Sequence, residues 1–156
     1  MRPGDVAETA AIGREAFPVA MSEKMFREEL SRESTIYLVA ENDNGIAGYC
    51  GMQCALDEGS INCIAVKSEC RGRGIASSML SALVGEAEEK GIGRVWLEVR
   101  QSNAAALALY GSAGFEKTGI RKNFYEKPRE DAIVMRLSIK PREDATATRP
   151  SVKPEE

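Results

Sequence analysis

The sequence predicts a mixed α/β (α+β) domain: a mixed central β-sheet flanked by helices. Three observations predict it. The first thirty residues carry apolar positions at helical spacing, Asp43-Asn44-Gly45 sits between two β-prone runs, and the second half alternates strand, helix, strand, helix, strand. Strand–helix–strand passages imply locally parallel pairing, whereas an Asn-Gly pair between apolar runs marks an antiparallel hairpin.

Each element follows in order. Ala7, Ala11, Ile12 and Phe17 recur at roughly helical intervals, and Pro18 ends the run. A second short helix begins after Ser22, whose hydroxyl suits an N-cap, with Met25, Phe26 and Leu30 on one face. Thr35 to Ala40 is β-prone, Ile46 to Cys54 is its return strand, and Ser60 to Val66 is a third. From Gly74 the period changes: Ile75, Met79, Leu80, Leu83, Val84 and Ala87 form a helical stripe, and Gly91 closes it. Arg94 to Arg100 reads as a strand. Ser102 or Asn103 caps a short helix through Leu107, Leu109 and Tyr110, closed by Gly114. Strands over Phe115 to Tyr125 and Ala132 to Ile139 complete the domain, taken as residues 1–140. Three of the six prolines fall from Pro141 onward, without apolar periodicity, so 141–156 reads as a disordered tail.

Composition narrows the function classes. A 43% hydrophobic and 29% charged chain is an ordinary globular composition. No stretch reaches the ~18 apolar residues of a membrane-spanning helix, and the N-terminus lacks a signal-peptide core, so the expected location is the cytoplasm. A net charge of −3 with scattered Lys and Arg argues against direct nucleic-acid binding. The chain has no histidine, which removes Ser-His-Asp and Cys-His chemistry. Cys50, Cys54, Cys63 and Cys70 lack metal-site spacing and read as small apolar thiols, so no metal is expected. An enzyme built on this chain moves protons with carboxylate, Tyr, Lys or Cys.

Three places carry candidate chemistry. Arg71-Gly72-Arg73-Gly74-Ile75-Ala76 joins a strand to the long helix, where glycines let an anion approach and helix-start amides face it. A solvated tight turn is the plain alternative. A dinucleotide fingerprint fails, because the third glycine of that pattern is replaced by Ser77. In Trp96-Leu97-Glu98-Val99-Arg100, alternation puts Glu98 on one face with Trp96 and Arg100. Glu98 is then either a solvated carboxylate paired with Arg100 or a base held in a cleft. Tyr110, before Gly114-Phe115, either packs or donates a proton.

Together these residues resemble the GNAT superfamily of acetyltransferases, and within it the RimI-type enzymes that acetylate the N-terminal alanine of a ribosomal protein. The resemblance rests on Asn62-Cys63-Ile64-Ala65-Val66, Arg71 to Ala76, the run Trp96 to Tyr110, Gly114-Phe115, Arg121 to Tyr125, and Arg129-Glu130-Asp131-Ala132. It is dense from about residue 60 to 139. It implies a GNAT sheet splayed after the third strand to hold acetyl-CoA. Ile64, Ala65 and Val66 would pair with the pantetheine arm, and the loop of Arg71, Gly72, Arg73, Gly74, Ile75, Ala76 and Ser77 would hold the pyrophosphate. Asn103 and Tyr110 would lie near the pantetheine end. Glu98 would be the general base and Tyr110 the general acid, in direct transfer to a protein N-terminal α-amine. The chain would act as a monomer or weak dimer.

The chain departs from that pattern at Pro18-Val19-Ala20-Met21-Ser22-Glu23, where the family carries P-W-S-E, at Ala76 in place of a loop glycine, and in the short segment between Tyr125 and Arg129. A small-molecule amine or lysine side chain is the alternative acceptor. A catalytically silent CoA-binding or partner subunit is the alternative class, and Glu98→Gln separates it from an enzyme.

Overall fold

The computed structural model describes residues 1–139; the expected tail from Pro141 to Glu156 lies outside the described residues. Among the described residues are ten elements, with short 3₁₀ turns at Pro3–Asp5 and Ser68–Cys70: α1 (Val6–Ala16), α2 (Glu23–Leu30), β1 (Thr35–Asn42), β2 (Gly45–Ala55), β3 (Glu58–Val66), α3 (Ile75–Glu89), β4 (Arg94–Arg100), α4 (Ala104–Ser112), β5 (Glu116–Glu126) and β6 (Arg129–Ser138). The strands form one six-stranded sheet in the order β1-β2-β3-β4-β6-β5.

Local chemistry sets the boundaries. The Ser22 hydroxyl accepts the Met25 amide at 3.2 Å and caps α2. Asn103, of the two residues foreseen, caps α4 through Oδ1 and the Ala106 amide at 3.1 Å. The hairpin joining β1 to β2 turns at Asp43 and Asn44, with Gly45 paired to Asn42 as the first residue of β2 and the Asn42 side chain accepting the Asn44 amide.

Two faces of the sheet are buried by different helices. On one face α3 and α4 enclose Cys50, Met52, Leu80, Leu83, Val95, Leu97 and Phe115. On the other, α1 and α2 enclose Val6, Ala10, Phe26, Tyr37 and Tyr49. Phe26 meets both tyrosines edge to face, at 6.0 and 5.5 Å between ring centres. β2 is covered on both sides, with every residue from Ile46 to Met52 buried.

Three expectations change. Ala7 and Ala11 are exposed, and the buried stripe of α1 is Val6, Thr9, Ala10, Ile12 and Gly13. Gly13 lets α1 sit close on the sheet, because a Cβ there would lie 2.7 Å from the Tyr49 hydroxyl. Met25 is 49% exposed, so α2 buries Phe26 without it. Only the first strand–helix–strand passage gives a parallel pair, β3 with β4. The second is interrupted: β6 inserts between β4 and β5 and pairs antiparallel with both. Returning directly from β5 through a short hairpin lets β6 satisfy the ladder of β4, leaving β5 as the edge.

Candidate active site

The site begins as a defect in the sheet. β3 and β4 pair over only three rungs, Glu58 with Arg94, Gly59 with Val95 and Ser60 with Trp96. Past that point β3 stays on β2 to Val66, and β4 stays on β6 to Arg100. The facing edges therefore diverge and expose backbone donors and acceptors to the gap. A bulge sits where they part: Gly51 pairs with Cys63 and Met52 with Ile61, leaving Asn62 extra.

A cavity of about 660 Å³ fills this gap. Its walls are Ile61 to Ile64 of β3, Leu97 to Arg100 of β4, and Asn103, Ala106 and Tyr110 of α4. The segment after α1 (Ala16 to Val19) and the β5–β6 hairpin (Phe124 to Lys127) close its rim. Ile64, Glu98, Asn103 and Tyr110, separate in sequence, thus line one space. Ala65 is buried against the α1/α2 core, and Val66 is half-buried at the strand end.

Glu98 lies on the half-buried face of β4 with Trp96 and Arg100, as alternation requires. Its partner is Arg121 of β5, with Nε 3.5 Å from Oε1. Of the two alternatives for Glu98, the pairing with Arg100 is not made, because Arg100 is bound to the β5–β6 hairpin. Glu98 also borders a second cavity of about 650 Å³ on the same sheet face, with Trp96 and Arg121 among its walls.

Tyr110 is buried at 6% exposure and stands edge to face with Phe115, 5.6 Å between ring centres. Burial, aided by the nearby Cys63, Cys50 and Tyr125, raises its phenol above the ordinary value of 10.0, so the group stays protonated. Burial also pushes the Cys63 thiol in the cavity wall up to about 12, which keeps it from acting as a thiolate nucleophile. Asn103 spends Oδ1 on its helix cap and keeps its amide nitrogen free of that duty.

The loop Arg71 to Ser77 leads into α3. Gly72 and Gly74 have φ of +78° and +77°, a conformation suited to glycine, and Gly74 caps the helix without a side chain. The first amides of α3 lack intrahelical acceptors, as at any helix start, and Arg71 to Gly74 and Ser77 are exposed. Arg71 donates through Nε to the Val66 carbonyl at 3.2 Å, which fastens the loop to the end of β3. These are the properties a pyrophosphate cradle needs. Among the described residues no group of three or more His, Cys, Asp or Glu is placed to hold a metal ion, and no helix is long and apolar enough to cross a membrane.

Sequence reasoning missed Arg121 as the partner of Glu98, the bulge at Asn62, and the use made of two acidic residues. Glu130 and Asp131 are both engaged within the hairpin region. Glu130 binds Arg100 and accepts the Ser102 amide, and Asp131 accepts the Asn123 amide at 2.8 Å. A sequence signal for Arg100 did exist: it lies two residues from Glu98, on the same face of the strand.

Comparison with known proteins agrees with this geometry. Residues 7–115 match the acetyltransferase (GNAT) family. The chain is 40% identical over 126 residues to the [ribosomal protein bS18]-alanine N-acetyltransferase of Escherichia coli strain K12, covering 80% of this chain and 83% of that one. It is 42% identical over 127 residues to the protein of that name from Salmonella typhimurium, with the same coverage. The crystal structure of the E. coli ribosomal-protein-S18-alanine N-acetyltransferase superposes with a TM-score of 0.81 at 35% identity, over 90% of this chain and 91% of that one. Arabidopsis thaliana NAA60, in complex with a bisubstrate analogue, shares the fold at a TM-score of 0.82 and 18% identity, over 91% of this chain and 97% of that one. A splayed mixed sheet, a glycine-turned loop opening α3 and a family match over most of the chain lead to one conclusion: this protein belongs to the GNAT family of acetyltransferases.

Proposed function

We propose that residues 1–140 act as one catalytic domain that transfers an acetyl group from acetyl-CoA to the N-terminal α-amine of a protein, alanine first, the acceptor being a small-subunit ribosomal protein. The observation that carries the reaction is the cavity between the parted strands β3 and β4, which both Glu98 and Tyr110 line. Identity of 40% to the E. coli enzyme named for alanine of bS18 supports the acceptor. Ribosomal proteins are made in the cytoplasm, which is therefore the expected place of action. The chain works as a monomer or weak dimer.

The residues fit acetyl-CoA. The free edge of β3 over Ile64, Ala65 and Val66 offers backbone groups to the amide-bearing pantetheine arm, as an added strand would. Amides from Gly72 to Ser77, with Arg71 and Arg73 beside them, suit the pyrophosphate. Asn103 and Tyr110 border the reacting end. When bound, acetyl-CoA supplies a thioester carbonyl as the electrophile.

Glu98 removes a proton from the acceptor ammonium, directly or through water, which frees the nitrogen lone pair. A terminal amine has a pKa of roughly 7.7–8.0, so this is a modest demand on the base. The nitrogen would form a bond to the acetyl carbon as the carbon–sulfur bond breaks, and Tyr110 would donate its proton to the departing sulfur. The second proton shed by the nitrogen as the amide forms would pass through water to restore the phenol. Burial keeps that phenol loaded at physiological pH. Holding both substrates in one cavity supplies proximity. Amides at the β3 bulge suit the developing oxyanion.

The test is CoA release from acetyl-CoA against alanine-, serine- and methionine-initiated peptides, a lysine peptide with a blocked N-terminus, and small polyamines. Turnover confined to the alanine peptide supports this reading. Turnover only on polyamines or the blocked lysine peptide overturns the acceptor and retains acetyl transfer.

A further inference from the structure

Arg100 makes more side-chain contacts to the hairpin than its position in a strand requires. Its two terminal nitrogens donate to the Pro128 carbonyl at 2.9 Å and the Lys127 carbonyl at 3.0 Å, and a third contact reaches Oε1 of Glu130 at 3.4 Å. The guanidinium also stacks over the Tyr125 ring, 4.2 Å from its centre. Only 23% of the Arg100 side chain and 17% of that of Glu130 is exposed, so this pair is shielded from the screening that weakens surface ion pairs. Glu130 then turns its other oxygen to the Ser102 amide, at the start of the turn into α4.

Besides the Asn123 amide on the Asp131 carboxylate and the Gln101 amide on the Asp131 carbonyl, the hairpin depends on a short ladder. Its ladder is irregular between Arg121 and Tyr125, and beyond that break only two rungs remain, Tyr125 with Glu130 and Glu126 with Arg129. β5 is the edge of the sheet, and Tyr125, Glu126 and Lys127 line the cavity opposite the segment after α1. Arg100 springs from the strand that carries Glu98, two residues on, along the same face.

We infer that Arg100 is a positioning residue for the acceptor: it fixes hairpin 125–130 as a wall at a set distance from Glu98, and so governs capture of the amine-bearing substrate while leaving acetyl-CoA binding to the loop before α3. The inference rests on acetyl transfer taking place in this cavity. A lysine cannot replace it fully, since one ammonium lacks the planar fork that serves two carbonyls, a carboxylate and a ring together.

The experiment compares wild type, Arg100→Met, Arg100→Lys and the control Arg27→Met, whose guanidinium forms an exposed pair with Glu23. For whichever amine the wild type acetylates, Arg100→Met raises the acceptor KM roughly tenfold or more, the range expected for losing a set of charge-assisted hydrogen bonds. The acetyl-CoA KM and the kcat at saturating acceptor stay within about twofold, because neither depends on uniform acceptor binding. Arg100→Lys falls between, and also serves if the Met variant fails to fold. Hydrogen exchange supplies a readout independent of activity: amides of residues 123–127 exchange faster in Arg100→Met, while those of β1 to β3 do not change. Equal rises in both KM values, or faster hairpin exchange with an unmoved acceptor KM, overturn the inference. Unchanged hairpin exchange overturns it whatever the activity. A wild type inert toward every amine overturns the acetyl-transfer reading instead.

Discussion

Ser60 and Trp96 form the last rung of the parallel ladder between β3 and β4, and the cavity that holds Glu98 and Tyr110 opens immediately beyond them. Two residues past Trp96, Glu98 has no strand on its β3 side, so its carboxylate faces space where a packed sheet would place a neighbour. Among the described residues its ion-pair partner is Arg121, across β6 on the edge strand.

Replacing Glu98 by Gln keeps the shape and removes the carboxylate proposed as the base. The expected result is a fall in kcat of roughly 10²–10⁴, the usual worth of a positioned acid or base, with the dissociation constant for acetyl-CoA nearly unchanged. Steady-state kinetics and calorimetry on the same preparation check it. Equal turnover in the variant would remove Glu98 from the mechanism.

Tyr110→Phe preserves the edge-to-face contact with Phe115 and should leave thermal stability almost unaltered while lowering kcat by roughly a hundredfold. Because burial raises the phenol above 10.0, the proton is present at every lower pH. Wild-type kcat therefore shows no decline attributable to Tyr110 as pH rises toward 10. A basic limb with its midpoint well below 10 that vanishes in Tyr110→Phe would contradict this assignment.

Gly72→Ala and Gly74→Ala test the loop. A Cβ at either position meets nothing within 4 Å, so the cost is conformational and comes from the positive φ. Each substitution should destabilise the fold by about 1–2 kcal/mol. Loop amides re-aimed in this way raise the KM for acetyl-CoA more than that for the acceptor. The reverse order would move the pyrophosphate site elsewhere.

Glu130 introduces a pH dependence of stability. Hydrogen bonds from the Ser102 hydroxyl and amide, and then Arg100, hold its carboxyl below the ordinary value of 4.5. A depressed folded-state value means that the stabilisation is fully present above 4.5 and is lost as pH falls through the folded value. Urea denaturation between neutral and acidic pH should thus show wild type losing its advantage over Glu130→Gln on the acid side. Parallel curves for the two proteins would refute the linkage.

Much of this was legible in residue order. The Ser22 cap, the hairpin at Asp43-Asn44-Gly45, the stripe of α3 and the span of β4 all depend on interactions within a few residues, which local pattern records faithfully. Alternation alone put Glu98, Trp96 and Arg100 on one face of β4. Local pattern failed where a neighbour from elsewhere in the chain chose between equivalents. Ala7 and Ala11 matched the helical period as well as Val6 and Ala10 do, yet the sheet covers the latter pair.

By itself, then, the sequence determined the elements, their order, the glycine-turned loop before α3, and an acid–base repertoire without histidine. Only the tertiary structure decided that β6 enters between β4 and β5, that β3 and β4 part after three rungs, and that Arg121 takes Glu98 while Arg100 takes the hairpin. The physical reason is range. A cap or a helical stripe is decided by energies among near neighbours, whereas strand pairing and ion pairing are competitions among partners far apart in the chain. Those competitions are settled only when the sheet has closed.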